Sequence, residues 1–224
     1  MRNPNTYTSI NLELAEEMKM DRVSTYDPFD METEFENQSE LAKTTNEPTS
    51  WIQTFSGRKF HPLNPSIDAI VIYDIAHALA YQCRFSGHVR DFYSVAQHSV
   101  LVSYICDKKN AFWGLMHDAS EAYLVDVPRP LKRSGKFDAY LGFEKVMQEV
   151  ICKKFGLSLE EPPDVKLADT QLLATEARDL MAPLHPEWIQ PVKPLPFKID
   201  PLPPKDAEKL FLERFKELFP GGNK

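Results

Sequence analysis

The sequence predicts an all-α fold, a helical bundle with a short β-like segment before its first core helix and irregular N- and C-terminal extensions. Three observations predict it. Successive segments after residue 74 repeat apolar residues at helical spacing. Helix-capping residues stand at the starts of several of them. Glycine is scarce, at 8 residues, and proline plentiful, at 18, so the connections are stiff rather than Gly-rich. At 224 residues, with 42% apolar and 26% charged side chains, the chain affords one globular core plus an extension.

Residues 1–50 read as an acidic N-terminal extension, with one short amphipathic stretch over Leu12–Met20 and a polar run over 21–48 that reads as mobile or draped over the surface. WIQTFSGRKFHPLNP, from Trp51, reads as short strands or an ordered loop. A β-like run over Ala69–Tyr73 then leads to Asp74, a candidate N-cap for a helix over about 75–83. Ser94 and Gln97 form a capping box before a helix over about 95–106. Asn110 is placed to cap a helix over about 111–124, which Pro128 stops from extending far. Phe137, Tyr140, Leu141, Glu144, Met147, Ile151 and Phe155 trace an amphipathic helix ending near Gly156. Asp164 is the expected cap of the next helix, running to about Met181. Eight prolines between 183 and 204 predict an extended strap, and Ala207–Leu218 a final helix.

The net charge of −7 resides in the first 50 residues, which hold 11 acidic and four basic side chains. The remainder is balanced at 22 of each. A neutral body lacks the basic face that general nucleic-acid binding requires, so no nucleic-acid partner is expected. Three cysteines without a CxxC pair exclude a disulfide framework and fit a reducing compartment. No signal-like h-region opens the chain and no apolar run approaches a membrane span, so a soluble cytoplasmic protein is expected.

Chemistry concentrates in WGLMHDASEAYL. On a helix, His117 and Asp118 project about 100° apart and can both reach an ion seated between them. Glu121 falls four residues from one and three from the other. A solvated polar face is the alternative for that helix alone. His98 and Asp169 change the balance, because His98 stands in a stretch with no other charge from Tyr93 to Ile105 and Asp169 is the only acid between Lys166 and Thr175, near the apolar Leu172 and Leu173. An acid beside an apolar stripe is costly unless paired or cation-bound. Two imidazoles and two carboxylates from three helices make a candidate divalent-metal site.

The ordered series Asp74-Ile-Ala-His77, Arg84-Phe-Ser-Gly-His88, Gln97-His98-Ser, His117-Asp118-Ala-Ser-Glu121 and Asp126-Val-Pro-Arg-Pro-Leu-Lys132 resembles the HD-domain metal-dependent phosphohydrolases. Within that family it is similar to the 5′-deoxynucleotidases and the phage dATP triphosphohydrolases. The resemblance covers about residues 51–182, and 183–224 are then a proline-rich strap and helix packing on that domain. It implies an HD-type helical bundle in which His98, His117, Asp118 and Asp169 bind a divalent ion (Mn, Co, Zn or Mg). It further implies that Glu121 positions or deprotonates water and that Asp126 lies near the sugar and the scissile phosphate. Arg84 with Phe85, and Arg129 with Lys132, would contact substrate, and related enzymes are homo-oligomers. His77 and His88 are candidates for orienting the ligands, or are buried hydrogen-bonded histidines. The expected activity is hydrolysis of dATP to deoxyadenosine and triphosphate. Alternatives are a 5′-deoxynucleotidase, cleavage of a cyclic or alarmone nucleotide, and a non-catalytic nucleotide-sensing or interaction module.

Overall fold

Of the 224 residues, the computed structural model describes 50–219. The expectations for the acidic segment, including its Leu12–Met20 helix, lie outside the described residues. Two short antiparallel strands, β1 (Ile52–Gln53) and β2 (Lys59–Phe60), pair Ile52 with Phe60 and Gln53 with Lys59. Gly57 turns between them at φ 79°, the left-handed conformation that glycine adopts without steric cost. Phe60 is buried and stacks on Tyr123 at 4.0 Å, which fixes the hairpin to the bundle.

The rest is helical. A 3₁₀ turn over Ile67–Ala69 precedes α1 (Ile72–Tyr81). Of the β-like run expected at Ala69–Tyr73, Ile70 and Val71 are extended, while Ala69 belongs to the 3₁₀ turn and Ile72 and Tyr73 to the helix. Asp74 does not cap the helix from outside. It sits in the first turn and accepts hydrogen bonds from the Ser56 N–H (2.6 Å) and hydroxyl (2.9 Å), tying down the hairpin loop.

Helix α2 (Val95–Ile105) is the axis of the fold, with every residue buried except Tyr104. Ser94 caps it as expected, accepting from the Gln97 N–H at 3.1 Å. The Gln97 side chain does not close the box. Its amide instead donates to the Asp200 carbonyl (2.8 Å) and accepts from the Leu202 N–H (2.9 Å). Around α2 pack α1, α3 (Ala111–Met116), α7 (Pro163–Leu180) and α8 (Pro204–Leu218). Two short helices, α4 (Glu121–Leu124) and α5 (Arg129–Lys132), and the longer α6 (Asp138–Phe155) lie between α3 and α7 in sequence. Gly156 ends α6 in the left-handed conformation, as its position predicts. Asp164 lies inside the first turn of α7, not at its cap, and receives the Asp107 N–H (2.9 Å) and the Asn110 amide (2.6 Å). Pro162 and Pro163 start that helix, where a missing N–H costs nothing.

The proline-rich strap is pinned by backbone hydrogen bonds. Leu195 N–H donates to Thr175 Oγ1 (2.8 Å) and Ile199 N–H to Asp179 Oδ2 (2.9 Å), while Arg178 donates to the Leu195 carbonyl (2.7 Å). Helix α8 supplies Ala207, Phe211 and Phe215 to the same apolar core as α1 and α2. Among the described residues no helix is long and apolar enough to cross a membrane.

A candidate metal centre at a broken helix

The helix expected over 111–124 is interrupted at its most informative point. After Met116 the chain forms tight turns through His117–Ser120 before α4 begins. The cause lies on α6. The Gln148 amide donates to the Met116 carbonyl (2.9 Å) and accepts from the Ser120 N–H (3.3 Å). These are the two groups that would bond each other in a continuous helix, so the side chain replaces one rung of the ladder. The neighbouring N–H groups tighten to three-residue bonds, Ala119 to Met116 (3.1 Å) and Glu121 to Asp118 (3.0 Å).

This break turns His117 and Asp118 toward His98 on α2. The two imidazole Nε2 atoms approach to 3.2 Å, and Asp118 Oδ2 lies 3.2 Å from His117 Nε2 and 3.5 Å from His98 Nε2. Asp169, on α7, reaches His98 Nε2 at 3.6 Å with Oδ1, while its Oδ2 meets Arg129 (3.4 Å) and Lys166 (3.3 Å). One donor atom from each of His98, His117 and Asp118 falls within a 4.8 Å sphere of the others. Asp169 stands beside this trio rather than within it.

Both Nδ1 atoms are already committed. His117 Nδ1 lies 2.8 Å from the Gly114 carbonyl, which can only accept. His98 Nδ1 lies 2.6 Å from Glu176 Oε1. Each ring thus carries its proton on Nδ1 and presents the Nε2 lone pair to the other. Two lone pairs 3.2 Å apart repel unless a proton or a cation sits between them. Burial opposes a second proton on His117, but Asp118, 3.2 Å from its Nε2, and Asp169 raise it to about 9. Of the carboxylates touching the imidazoles, Asp118 and Glu176 share the buried guanidinium of Arg84, while Asp169 is met on its outer oxygen by Arg129 and Lys166. Two imidazole nitrogens and a carboxylate oxygen converging on one point are a donor set that fits a divalent ion.

Arg84 lies buried between Glu176 (3.2 Å) and Asp118 (3.5 Å). Burial works against all of these charges. Even so, Arg84 and His98 hold Glu176 below the usual carboxylate range, and His117, His98 and Arg84 hold Asp118 lower still. Glu121 is the exception. Burial, with the nearby Asp118 and Asp126, pushes its carboxyl well above the usual range, and its Oε2 has no protein partner among the described residues. Gln82 fixes the backbone at the first residue of α4 and just past its end, donating to the Glu121 carbonyl (2.9 Å) and accepting from the Asp126 N–H (3.2 Å).

A cleft of about 1560 Å³ opens over the cluster. Glu121, Asp126, Arg129 and Lys132 all line it, as does Phe85. Lys132 is held by Glu144 (2.5 Å) and faces Glu121 at 3.6 Å. Phe85 and Ser86 occupy the left-handed region at φ 54° and 52°, followed by Gly87 at 80°. For the two non-glycine residues this costs about 1–2 kcal/mol each, strain of the kind that collects at functional sites. Arg90, also basic, is exposed and lies outside the cleft lining.

The expected ligand-orienting histidines do not serve that purpose. His77 faces α8, 3.1 Å from Glu208, and is stacked between Phe55 (3.6 Å) and Tyr81 (4.4 Å). His88 is exposed at the rim of the cleft. Glu176 and the Gly114 carbonyl orient the imidazoles instead. Glu176 follows Asp169 by seven residues, two helical turns, so the spacing places both on one face of α7. Gln148 and Gln82 carried no comparable signal.

With this geometry established, comparison with known proteins adds kinship. The chain is 45% identical over 174 residues to the Uncharacterized protein YfdR of Escherichia coli (strain K12), spanning 75% of this chain and 96% of that protein. It belongs to the YfdR family. It is also 34% identical over 145 residues to the Uncharacterized protein RCAP_rcc00048 of Rhodobacter capsulatus, covering 58% of this chain and 73% of that one. No family model matches the chain.

Proposed function

We propose that this protein is a metal-dependent phosphohydrolase of the HD type, converting dATP to deoxyadenosine and inorganic triphosphate. The observation that carries this reading is the meeting of the His98 and His117 Nε2 atoms at 3.2 Å, with both Nδ1 atoms committed elsewhere and Asp118 alongside. His98, His117 and Asp118 would hold the divalent ion, with Asp169 as its fourth ligand. Such an ion lowers the pKa of bound water and polarises a phosphoryl oxygen.

The chain's own groups supply the rest. Arg84 and Lys132, with Arg129 at the mouth, neutralise the phosphates in a body of balanced charge. Glu121 holds the attacking water and takes its proton, which its unpartnered Oε2 and raised carboxyl suit it to do. Attack at the α-phosphorus breaks the bond to the sugar 5′ oxygen, which leaves with a proton returned by Glu121. Asp126, carried on the loop that Gln82 fixes, faces the sugar.

The test is a panel of deoxynucleoside mono-, di- and triphosphates assayed after chelation and after adding back Mn, Co, Zn or Mg. Restored turnover of dATP with release of intact triphosphate is the expected result. Single phosphates from dAMP, with dATP untouched, would instead make the protein a 5′-deoxynucleotidase. Full turnover in metal-free protein would refute the mechanism, and no turnover with any ion would leave a non-catalytic nucleotide-binding module.

A further inference from the structure

The strap carries side chains that the phosphate chemistry does not use. Its stretch from Trp188 to Gln190 lines the same cleft as the ion cluster. Trp188 is 38% exposed and Ile189 82%, an unusual display of apolar surface beside a polar site. The Trp188 ring meets Phe85 edge-on, with centroids 6.5 Å apart and planes at 70°. Phe85 is held there by the left-handed turn described above. Gln190 is more telling. Both its amide nitrogen and its amide oxygen are shielded from solvent and lack a hydrogen-bond partner among the described residues. A buried primary amide without partners is costly, and its donor and acceptor sit side by side. Farther along, the strap is pinned at Leu195, Ile199 and Leu202. Among the described residues, Trp188 and Ile189 make only local backbone bonds, to His185 and Glu187.

We infer that Trp188 and Gln190 of the strap, facing Phe85, form the subsite for the substrate's nucleobase and determine which base is accepted. The ligand is a planar heteroaromatic ring that stacks against aromatic faces. It carries an adjacent amino group and ring nitrogen on one edge, the pattern of adenine, to which a glutamine amide bonds through two hydrogen bonds. This inference rests on the nucleotide reading above and adds the strap to it. The anchored part of the strap fixes its path, and the part without long-range backbone bonds adjusts to the ring.

The experiment separates base from phosphate. The full chain is titrated with deoxyadenosine, which has no phosphate, and with inorganic triphosphate, which has no base, and KM is measured for dATP and dGTP. Trp188→Ala should weaken deoxyadenosine at least ~10-fold, the lower range of base-stacking losses, and raise the KM for dATP. Binding of inorganic triphosphate should be unchanged, and Trp188→Phe should restore most of the loss. Gln190→Leu should reduce the preference for dATP over dGTP by a similar factor. If wild-type protein hydrolyses dATP while these variants bind and discriminate as it does, the subsite is wrong and the phosphohydrolase reading survives. If wild-type protein binds deoxyadenosine through Trp188 yet hydrolyses no nucleotide, the subsite stands and the phosphohydrolase reading falls. Failure of wild-type protein to bind any nucleoside overturns the subsite outright.

Discussion

Replacing Glu176 with glutamine isolates the charge that links the two halves of the cluster. Glu176 is fully buried and accepts from His98 Nδ1 at 2.6 Å through one oxygen and from Arg84 at 3.2 Å through the other. Glutamine has the same shape but only one acceptor oxygen, so its NH₂ must face either the imidazole N–H or the guanidinium. One charge-assisted hydrogen bond is lost, a cost of about 1.5–3 kcal/mol. At roughly 2–4 °C per kcal/mol for a domain of this size, Glu176→Gln should lower the Tm by ~3–12 °C. The freed His98 ring no longer has its Nε2 lone pair fixed in direction, and loss of such supporting partners typically weakens metal binding about 10–100-fold. Thermal unfolding and calorimetric titration with Mn, each set against wild type, measure both effects. A variant with unchanged Tm and unchanged metal affinity would show that Glu176 is not the group that orients His98.

Glu121→Ala should keep metal and nucleotide binding but lose at least ~10²-fold in turnover, the usual scale for a general acid–base group. A near-wild-type rate would move the proton transfer to Asp126. Lys132→Glu should raise the KM for dATP more than that for dAMP, since a distal cation serves the longer phosphate chain, and equal effects on both would refute that placement. Gly114→Ala would put a Cβ 2.8 Å from Cys106 Sγ and 3.1 Å from Ser103 Cα. An overpacking loss of about 1–3 kcal/mol is expected in denaturant titrations, together with weaker metal binding as the carbonyl that holds His117 moves. Deletion of residues 1–45 should leave a cooperatively folding, metal-binding protein, because the apolar core among the described residues is built between Phe60 and Phe215. Loss of the unfolding transition would refute this.

The features legible in the sequence were those that local periodicity determines. His117 and Asp118 stood out as polar residues on an otherwise apolar helix and Asp169 as a lone acid beside an apolar stripe, and the Ser94 cap and the Gly156 stop depend on neighbours within a few residues. Asp74 and Asp164 misled because a carboxylate near a helix start serves equally well as a cap or as an acceptor for a distant loop. Which role it takes depends on Ser56, or on Asp107 and Asn110, and local pattern does not connect them. The break after Met116 was hidden more deeply. No proline interrupts AFWGLMHDASEAYL, and the wedge comes from Gln148, 28 residues beyond Ser120. His77 looked like a partner of the metal ligands until α8, arriving from the end of the chain, supplied Glu208.

The docking of α8 on α1 also sets the order in which the protein can become itself. Ala76 and Leu79 share their core with Phe211 and Phe215, so α1, the first α-helix among the described residues, has one of its packing partners more than 120 residues away. Contacts that distant in sequence form late, because the loop-closure entropy must be met before they repay it. During synthesis, α1 and α2 therefore wait with apolar faces uncovered, the condition in which nascent chains depend most on chaperones. A stop codon just before Pro204 would remove none of the candidate ion ligands, yet it would leave that core permanently open.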